Sequence, residues 1–244
     1  MLRTAPSDSF RTGSLASVLE TEIERLILAG TIQPGERINE NQPAARFGTS
    51  RGPIREAIRA LEGAGMVEAI PNRGVFVRTL SVGEVREVYD VRAALFGLAG
   101  RLMADRATSG DVETLDDFIA RMEAAASALD FESYYPLNLA FHAFILDACG
   151  NATLAAEYKA FVKRLTLFRA RSLVQGGGLG VSNREHREMV EAVRARDAQW
   201  AHDAHWRHVI NAKNRLLAVV RAEEAALEVP SAGGTHGDDQ TSGR

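Results

Sequence analysis

The N-terminal third of the chain alternates between amphipathic segments with helical spacing and short segments rich in β-branched residues. In three segments the apolar residues recur every three or four positions, which predicts helices. Glycine follows each segment, and serine, which caps helix N-termini, precedes the first and the third. The predicted helices lie between Ser14 and Gly30, over residues 42–47, and between Ser50 and Gly63. MVEAI (66–70) and GVFVR (74–78) are predicted strands, because a PNRG turn joins these two β-rich runs.

From Ser81 onward every segment has helical periodicity and none alternates like a strand, which predicts an all-helical second part. The predicted helices cover residues 82–106, 111–129, 132–149, 152–174, 183–196 and 198–227. Their predicted N-caps are Ser109, Asp130, Asn151 and Ser182. The glycine-rich segment QGGGLG (175–180) is a predicted loop between the fourth and fifth of these helices.

The third predicted helix carries arginine on one side and apolar residues on the other. Arg51, Arg55 and Arg59 are four residues apart, whereas Ile54 and Ile58 define the opposite side. The formal net charge is -3 and the pI is near 6.1, so any contact with a nucleic acid has to come from a local patch. An α-helix fits the major groove of DNA, and arginine binds guanine edges and phosphates.

The order of helix, turn, arginine-faced helix and hairpin is that of a winged helix-turn-helix. The alternative is a structural helix whose charged face is only solvated. The two preceding helices and the predicted wing favour DNA binding.

Four motifs follow one another through this part of the chain: PGERI (34–38), SRGPIREAI (50–58), LEGAGMV (61–67) and RGVFV (73–77). With them, residues 32–77 resemble the DNA-binding domain of GntR-type bacterial transcription regulators. The resemblance implies contacts to an operator from the recognition helix, its cap and the wing tip. The implied DNA-binding residues are Arg37, Ser50, Arg51, Arg55, Arg59, Arg73 and Gly74. The chain departs from the family pattern at Pro43, where leucine is usual, and at Asn41, where a basic or polar residue often contacts DNA.

Four polar residues of the helical part could converge on one ion. Asn138 and His142 are four residues apart and share a helix face, and His186 and His208 lie on two later predicted helices. An amide oxygen and three imidazoles suit zinc, nickel, manganese or iron. A single helical histidine is more often a core or surface residue than a ligand, so the spacing alone is a weak signal.

The segments NLAFH (138–142), EH (185–186) and DACGN (147–151) strengthen it, because with them the helical part resembles the FCD ligand-binding domain of FadR-type GntR regulators. That resemblance implies a metal held by Asn138, His142, His186 and His208, with zinc as the first choice. Six predicted helices favour the VanR-like branch. Asparagine at position 138 replaces the commoner aspartate, which removes one negative charge, and Phe96 stands where the family often has glutamate.

Arg92 lies on an apolar helical stripe and therefore needs an anionic partner. Either an internal acid pairs with it, or it holds the carboxylate of an effector near the metal. His205 is one turn before His208 and is an alternative ligand, but we expect His202 and His205 to be surface residues of the last helix.

Composition limits the other classes of protein. The single cysteine, Cys149, excludes an internal disulfide and a cysteine-rich zinc site. No apolar run is long enough to span a bilayer and the N-terminus does not resemble a signal peptide, so we expect a cytoplasmic protein without membrane contact.

The sequence thus predicts a mainly α fold with a winged helix-turn-helix before an antiparallel helical bundle. Its predicted parts are a flexible arm (1–13), a DNA-binding domain (14–80), an effector-binding and dimerisation domain (81–228) and a disordered tail (229–244). The expected function is a metal-containing, homodimeric transcription regulator, usually a repressor in such families. It would bind a pseudo-palindromic DNA operator and a small carboxylate effector. Two alternatives are a metal-dependent hydrolase with an accessory DNA-binding domain, and a DNA-binding protein whose helical domain only dimerises.

Overall fold

A computed structural model describes residues 14–39, 41–169 and 178–228 of the chain. The predicted arm (1–13), the predicted tail (229–244) and the first half of the predicted loop (175–180) lie outside the described residues. In this structure the N-terminal part contains three helices and three short strands. They are α1 (Leu15–Leu28), β1 (Arg37–Ile38), α2 (Asn41–Phe47), α3 (Arg51–Gly63), β2 (Val67–Ile70) and β3 (Gly74–Val77).

The three strands form an antiparallel sheet in the order β1-β3-β2. The predicted hairpin is β2 and β3, and left-handed backbone at Asn72 and Gly74 shapes the turn between them. The two-residue strand β1 was not predicted, because a segment this short carries no alternating pattern. It pairs Arg37 with Phe76 and thereby attaches the segment after α1 to the hairpin.

The recognition-type helix α3 packs through one apolar side, as its spacing predicts. Ile54, Ile58 and Leu61 are buried in a cluster with the inner residues of α1 and the sheet. Burying an aliphatic side chain of this size stabilises the fold by about 1.5–3 kcal/mol, which fixes the orientation of the opposite side of α3.

Six helices follow among the described residues. They are α4 (Val82–Arg106), α5 (Ser109–Ser127), α6 (Phe131–Ala148), α7 (Ala152–Arg169), α8 (Gly178–Arg194) and α9 (Ala198–Glu228). Their apolar faces form a second buried cluster, separate from that of the N-terminal part. No helix in the described ranges is both long enough and apolar enough to cross a lipid bilayer.

Of the four N-caps predicted in the helical part, two are confirmed and two are wrong. Asp130 accepts from the backbone of Ser133 at 3.0 Å, and Asn151 accepts from the backbone of Leu154 at 3.1 Å. The cap of α5 is Thr108 and not Ser109, because Thr108 and Asp111 exchange hydrogen bonds in a capping box.

Ser182 is not a cap, because α8 begins four residues earlier than Ser182, at Gly178. Gly178 and Gly180, which belong to the predicted loop (175–180), therefore lie in the first turn of α8. Ser182 is buried inside the helix and lies one turn before His186.

Helices α4 and α9 form the closest helix pair of the bundle. A Cβ atom placed on Gly97 would lie 2.9 Å from the ring of His202. One placed on Gly100 would lie 2.3 Å from Nδ1 of His205. Glycine at these two positions of α4 lets the α9 side chains lie directly on its backbone.

Candidate metal centre and DNA-binding face

Three histidines from three helices meet inside the bundle. Each of His142 on α6, His186 on α8 and His208 on α9 offers a ring nitrogen, and these nitrogens lie within 4.8 Å of one another. The ring centroids are 4.6–5.2 Å apart. Because three nitrogens at this spacing can reach one central atom, the arrangement suits a tetrahedral or higher-coordinate transition metal.

The fourth predicted ligand, Asn138, lies beside them. It is buried one turn before His142 on α6, and it lines a cavity together with His142 and His208. The cavity has a volume of about 40 Å³. The structure therefore brings all four predicted ligand residues to one buried place.

Burial favours the uncharged form of His186 and His208. It lowers the pKa of His186 well below its ordinary value, and the neighbouring His208 and Arg215 lower it further because a second positive charge beside them is unfavourable. Burial also lowers the pKa of His208, although a hydrogen bond with Glu185 opposes that shift. Neutral imidazole is the form that binds metals, so these shifts favour metal binding at His186 and His208.

The donor set fits a divalent transition metal. Nδ1 of His186 is buried without a hydrogen-bond partner among the described residues. An unpaired buried polar atom costs about 1–3 kcal/mol, and a metal or a water in the site removes that cost. Three imidazoles with an amide oxygen are ligands that zinc accepts.

An acid behind the site orients His208. Oε2 of Glu185 lies 2.8 Å from Nδ1 of His208, and the same carboxylate accepts two hydrogen bonds from Arg215 at 2.8 and 3.1 Å. Burial raises the pKa of Glu185, but the hydrogen bonds from His208 and Arg215 outweigh burial and lower it to about 2. An ionised carboxylate can only accept, so Nδ1 of His208 carries the proton and Nε2 is left as the metal donor.

Sequence reasoning missed this role of Glu185. Its side chain faces α9, where it contacts His208 and Arg215. The only signal in the sequence is that Glu185 directly precedes His186. On α8 the first side chain faces His208 and Arg215 of α9, and the second belongs to the histidine group.

Arg92 lies in the wall of the same cavity and is 5% exposed. Its guanidinium lies between the rings of Tyr89 and Tyr158, with Cζ 4.9 Å from each ring centroid, and it donates to the Tyr158 hydroxyl at 2.8 Å. In the described part of the chain, no carboxylate forms an ion pair with Arg92, and its Nε is buried without a hydrogen-bond partner. Of the two expected partners for Arg92, the internal acid is therefore not found.

The expectation that His205 is a surface residue is wrong. It is 1% exposed because α9 packs against Gly100 of α4. Its Nδ1 donates to the carbonyl of Ala201 at 2.7 Å, and burial lowers its pKa to about 3. Its ring packs 5.2 Å from that of Phe96, outside the group of three histidines, whereas His202 is partly exposed beside Asp203.

Three of the predicted DNA-binding residues lie on one side of α3. Arg51, Arg55 and Arg59 are exposed on the side of α3 opposite its buried apolar residues. Ser50 occupies the N-cap position, but its side chain makes no capping hydrogen bond. Its hydroxyl is thus not committed to the helix that it precedes.

Two further predicted residues meet at the wing. A Cβ atom on Gly74, whose φ is +108°, would lie 2.9 Å from Nε of Arg37. Only glycine permits both this backbone conformation and this approach. Arg73 at the hairpin turn lies with Cζ 5.6 Å from the Phe76 ring. The structure therefore places Arg37 against Gly74, at the end of the sheet where Arg73 lies in the hairpin turn.

Family models identify both parts of the chain. Residues 15–77 match the bacterial regulatory proteins of the GntR family, and residues 87–211 match the FCD domain. The chain belongs to the GntR family of transcription regulators, with an FCD domain after the DNA-binding domain.

Curated relatives agree with this assignment. The HTH-type transcriptional regulator YdhC of Bacillus subtilis, itself uncharacterized, is 31% identical over 77% of this chain and 85% of its own length. A protein of Paenarthrobacter nicotinovorans, named "Probable D-xylose utilization operon transcriptional repressor", is 30% identical over 84% of this chain and 90% of its own length. These relatives are transcription regulators and not enzymes, which argues against the hydrolase alternative.

Solved structures show the same fold. McbR/YncC of Escherichia coli has a TM-score of 0.68 at 18% identity, covering 87% of this chain and all of its own. A GntR regulator of Rhodococcus sp. RHA1 has a TM-score of 0.66 at 20% identity, covering 84% of this chain and 99% of its own. The predicted mainly α fold, a winged helix-turn-helix before a helical bundle, is confirmed.

Proposed function

We propose that this protein is a metal-containing repressor that a small organic acid releases from, or fixes on, its DNA operator. The observation that carries the proposal is the meeting of three histidines beside a cavity that His142, His208 and the buried Arg92 line. A site of this kind offers a cation and a guanidinium to the same anion. Repression is supported by the relatives, among them RspR of Escherichia coli, a transcriptional repressor 26% identical over 77% of this chain.

In this proposal the N-terminal part, residues 14–80, binds DNA. Arg51, Arg55 and Arg59 contact bases and phosphates in the major groove, and Ser50 contacts a phosphate at the N-terminus of α3. Arg37, Arg73 and Gly74 place the wing in the neighbouring minor groove. The exposure of these arginines and the uncommitted hydroxyl of Ser50 support these assignments.

The helical part, residues 81–228, would hold the metal through Asn138, His142, His186 and His208. Zinc is the first choice, and nickel, manganese or iron are the alternatives. A bound divalent ion supplies a Lewis-acidic centre for an anionic ligand. Glu185 holds His208 in the tautomer that presents Nε2, and Arg92 binds the effector carboxylate.

We further propose that two chains form a homodimer on a pseudo-palindromic operator, in the cytoplasm with the chromosome. Two recognition helices about one DNA turn apart match a two-fold symmetric site. The six helices from α4 to α9 favour the VanR-like branch of the family. An effector changes operator affinity only if it binds the two conformations of the dimer differently.

The test uses an operator selected from random DNA with the purified protein. Operator affinity is measured with zinc alone and with zinc plus each member of a panel of small carboxylates. At least one acid changes the affinity about 5- to 150-fold, the usual range of allosteric coupling.

Arg92→Met binds the operator normally and does not respond to that acid. A wild-type protein that binds the operator but responds to no acid, with or without zinc, supports the alternative in which the helical domain only dimerises.

A further inference from the structure

Helix α7 contacts both the buried cavity and the DNA-binding part. Tyr158 of α7 lines the cavity and accepts the hydrogen bond of Arg92. Six residues further along, Nε of Arg164 donates to the carbonyl of Ala64 at 3.0 Å. Lys163 forms an ion pair with Glu24 of α1 at 2.9 Å. One helix therefore carries a wall of the candidate effector site at one point and holds the DNA-binding part at another.

Arg164 contacts the C-terminal end of the recognition-type helix α3. Ala64 is the C-cap residue of α3, and Gly65 follows it with a left-handed φ of +71°. A Cβ atom on Gly65 would lie 2.8 Å from Nε of Arg164, so glycine is needed for the guanidinium to approach. A positive charge at a helix C-terminus is favourable, and Arg164 also lies 5.5 Å from the ring of Phe161.

The cavity is small for an organic acid, which favours movement of one of its walls on binding. A volume of about 40 Å³ has room for roughly three waters. Helices α4 and α9 are in backbone contact at Gly97 and Gly100, so separating them would break their whole interface. Tyr158 is attached to α4 through a hydrogen bond from Arg92, and that guanidinium is the group that a carboxylate would take.

We propose that α7 transmits occupancy of the cavity to the recognition helix. A carboxylate that binds Arg92 displaces the hydroxyl of Tyr158 and moves α7. That movement loosens the contact between Arg164 and Ala64 and frees the DNA-binding part to change its position. The inference rests on the proposed carboxylate site, and it assigns the regulatory contact to residues that touch neither the metal nor DNA.

Hydrogen exchange of the full-length protein tests this coupling, with succinate as the probe and zinc chloride alone as the baseline. In the wild type, succinate produces several-fold faster exchange in the peptide covering residues 61–67. In Arg164→Ala this peptide already exchanges fast with zinc alone, and succinate adds nothing. Lys159→Ala is the matched control, because Lys159 is on the same helix and pairs with Asp147 of the bundle. It behaves as the wild type.

Tyr158→Phe distinguishes binding at the cavity from the response near α3, because it keeps the ring and removes only the hydroxyl that Arg92 contacts. We expect it to bind succinate by calorimetry at least as tightly as the wild type, and its 61–67 peptide to respond less. Wild-type protein that binds succinate with no change in this peptide overturns the role of α7 and leaves the proposed site intact. No binding of succinate to the zinc-treated wild type, by calorimetry, counts against the carboxylate site and the inference together.

Discussion

The arginine face of α3 and the histidine cavity both contain positively charged side chains, but those of α3 are exposed and that of the cavity is buried. On the arginine face of α3, Arg51, Arg55 and Arg59 are exposed to solvent. In the cavity, Arg92 is buried between two tyrosines and has no acid to pair with among the described residues. An exposed arginine costs the fold little, whereas a buried one without an anion is expensive. The exposed arginines of α3 therefore need no ligand for a stable fold. The buried Arg92, in contrast, would be stabilised by an anionic ligand in the cavity.

The largest expected effect is a loss of operator affinity when arginines of α3 are replaced. Replacing both Arg51 and Arg55 by alanine should weaken operator binding by about 2–6 kcal/mol, because each DNA contact contributes about 1–3 kcal/mol. The salt dependence of binding should also become less steep, since fewer phosphates are neutralised. Fluorescence anisotropy at several salt concentrations measures both quantities.

Arg101→Ala is the control, because Arg101 is exposed on α4 of the bundle. Wild-type affinity and salt dependence in the double variant would mean that the arginine face of α3 does not contact DNA.

The next effect is on the cavity. Zinc at about 1,000 times its dissociation constant should stabilise the wild-type fold by about 4 kcal/mol. His186→Ala should lose this stabilisation, because it removes one of three converging ligands. Thermal unfolding with and without zinc measures it, and His202→Ala, outside the group, should keep it. Equal zinc stabilisation of both variants would place the metal elsewhere.

A smaller effect is expected behind the cavity. Glu185→Gln keeps the shape of the side chain but removes the charge that orients His208 and pairs with Arg215. Loss of such an outer-shell partner typically weakens metal binding about 10- to 100-fold. Competition with a zinc-binding dye gives the affinity. Glu188→Gln is the control on the same helix, because Glu188 is only partly buried and pairs with Arg207. An unchanged affinity in Glu185→Gln would remove the carboxylate from the metal site.

The smallest expected effect distinguishes two serine caps. Ser81 and Glu84 form a capping box at the start of α4, whereas Ser50 makes no capping hydrogen bond at α3. Ser81→Ala should therefore lower stability by about 0.5–2 kcal/mol and leave DNA binding unchanged. Ser50→Ala should do the reverse, with weaker DNA binding and little loss of stability. Chemical denaturation and anisotropy check the pair, and matching behaviour of the two variants would contradict the distinction.

The Ser81 box also predicts a dependence on pH. Hydrogen bonds from the backbone and side chain of Ser81 hold the pKa of Glu84 below its ordinary value. The folded state then binds fewer protons than the unfolded state in acid. The stabilisation of the folded state by Glu84 is fully present above the ordinary pKa of a glutamate. It is lost as the pH falls through the lowered pKa of Glu84 in the folded protein. The stability difference between wild type and Ser81→Ala should therefore shrink in acid.

The same contrast explains what the sequence could predict. The boundaries of α4 and the buried and exposed sides of α3 follow from local spacing and caps, and both are confirmed. The four predicted ligands were placed by their resemblance to a family pattern, since no local rule brings α6, α8 and α9 together. The role of Glu185, the burial of His205 and the partners of Arg92 depend on contacts between distant helices. Such contacts leave no periodic signal in one segment.

The most direct test of the account is the metal content of the purified wild-type protein, by elemental analysis, beside His186→Ala. The account predicts about one transition metal per chain in the wild type after incubation with zinc and dialysis, and none in the variant. An absence of bound metal from both proteins, after incubation with zinc, nickel or manganese, would contradict it.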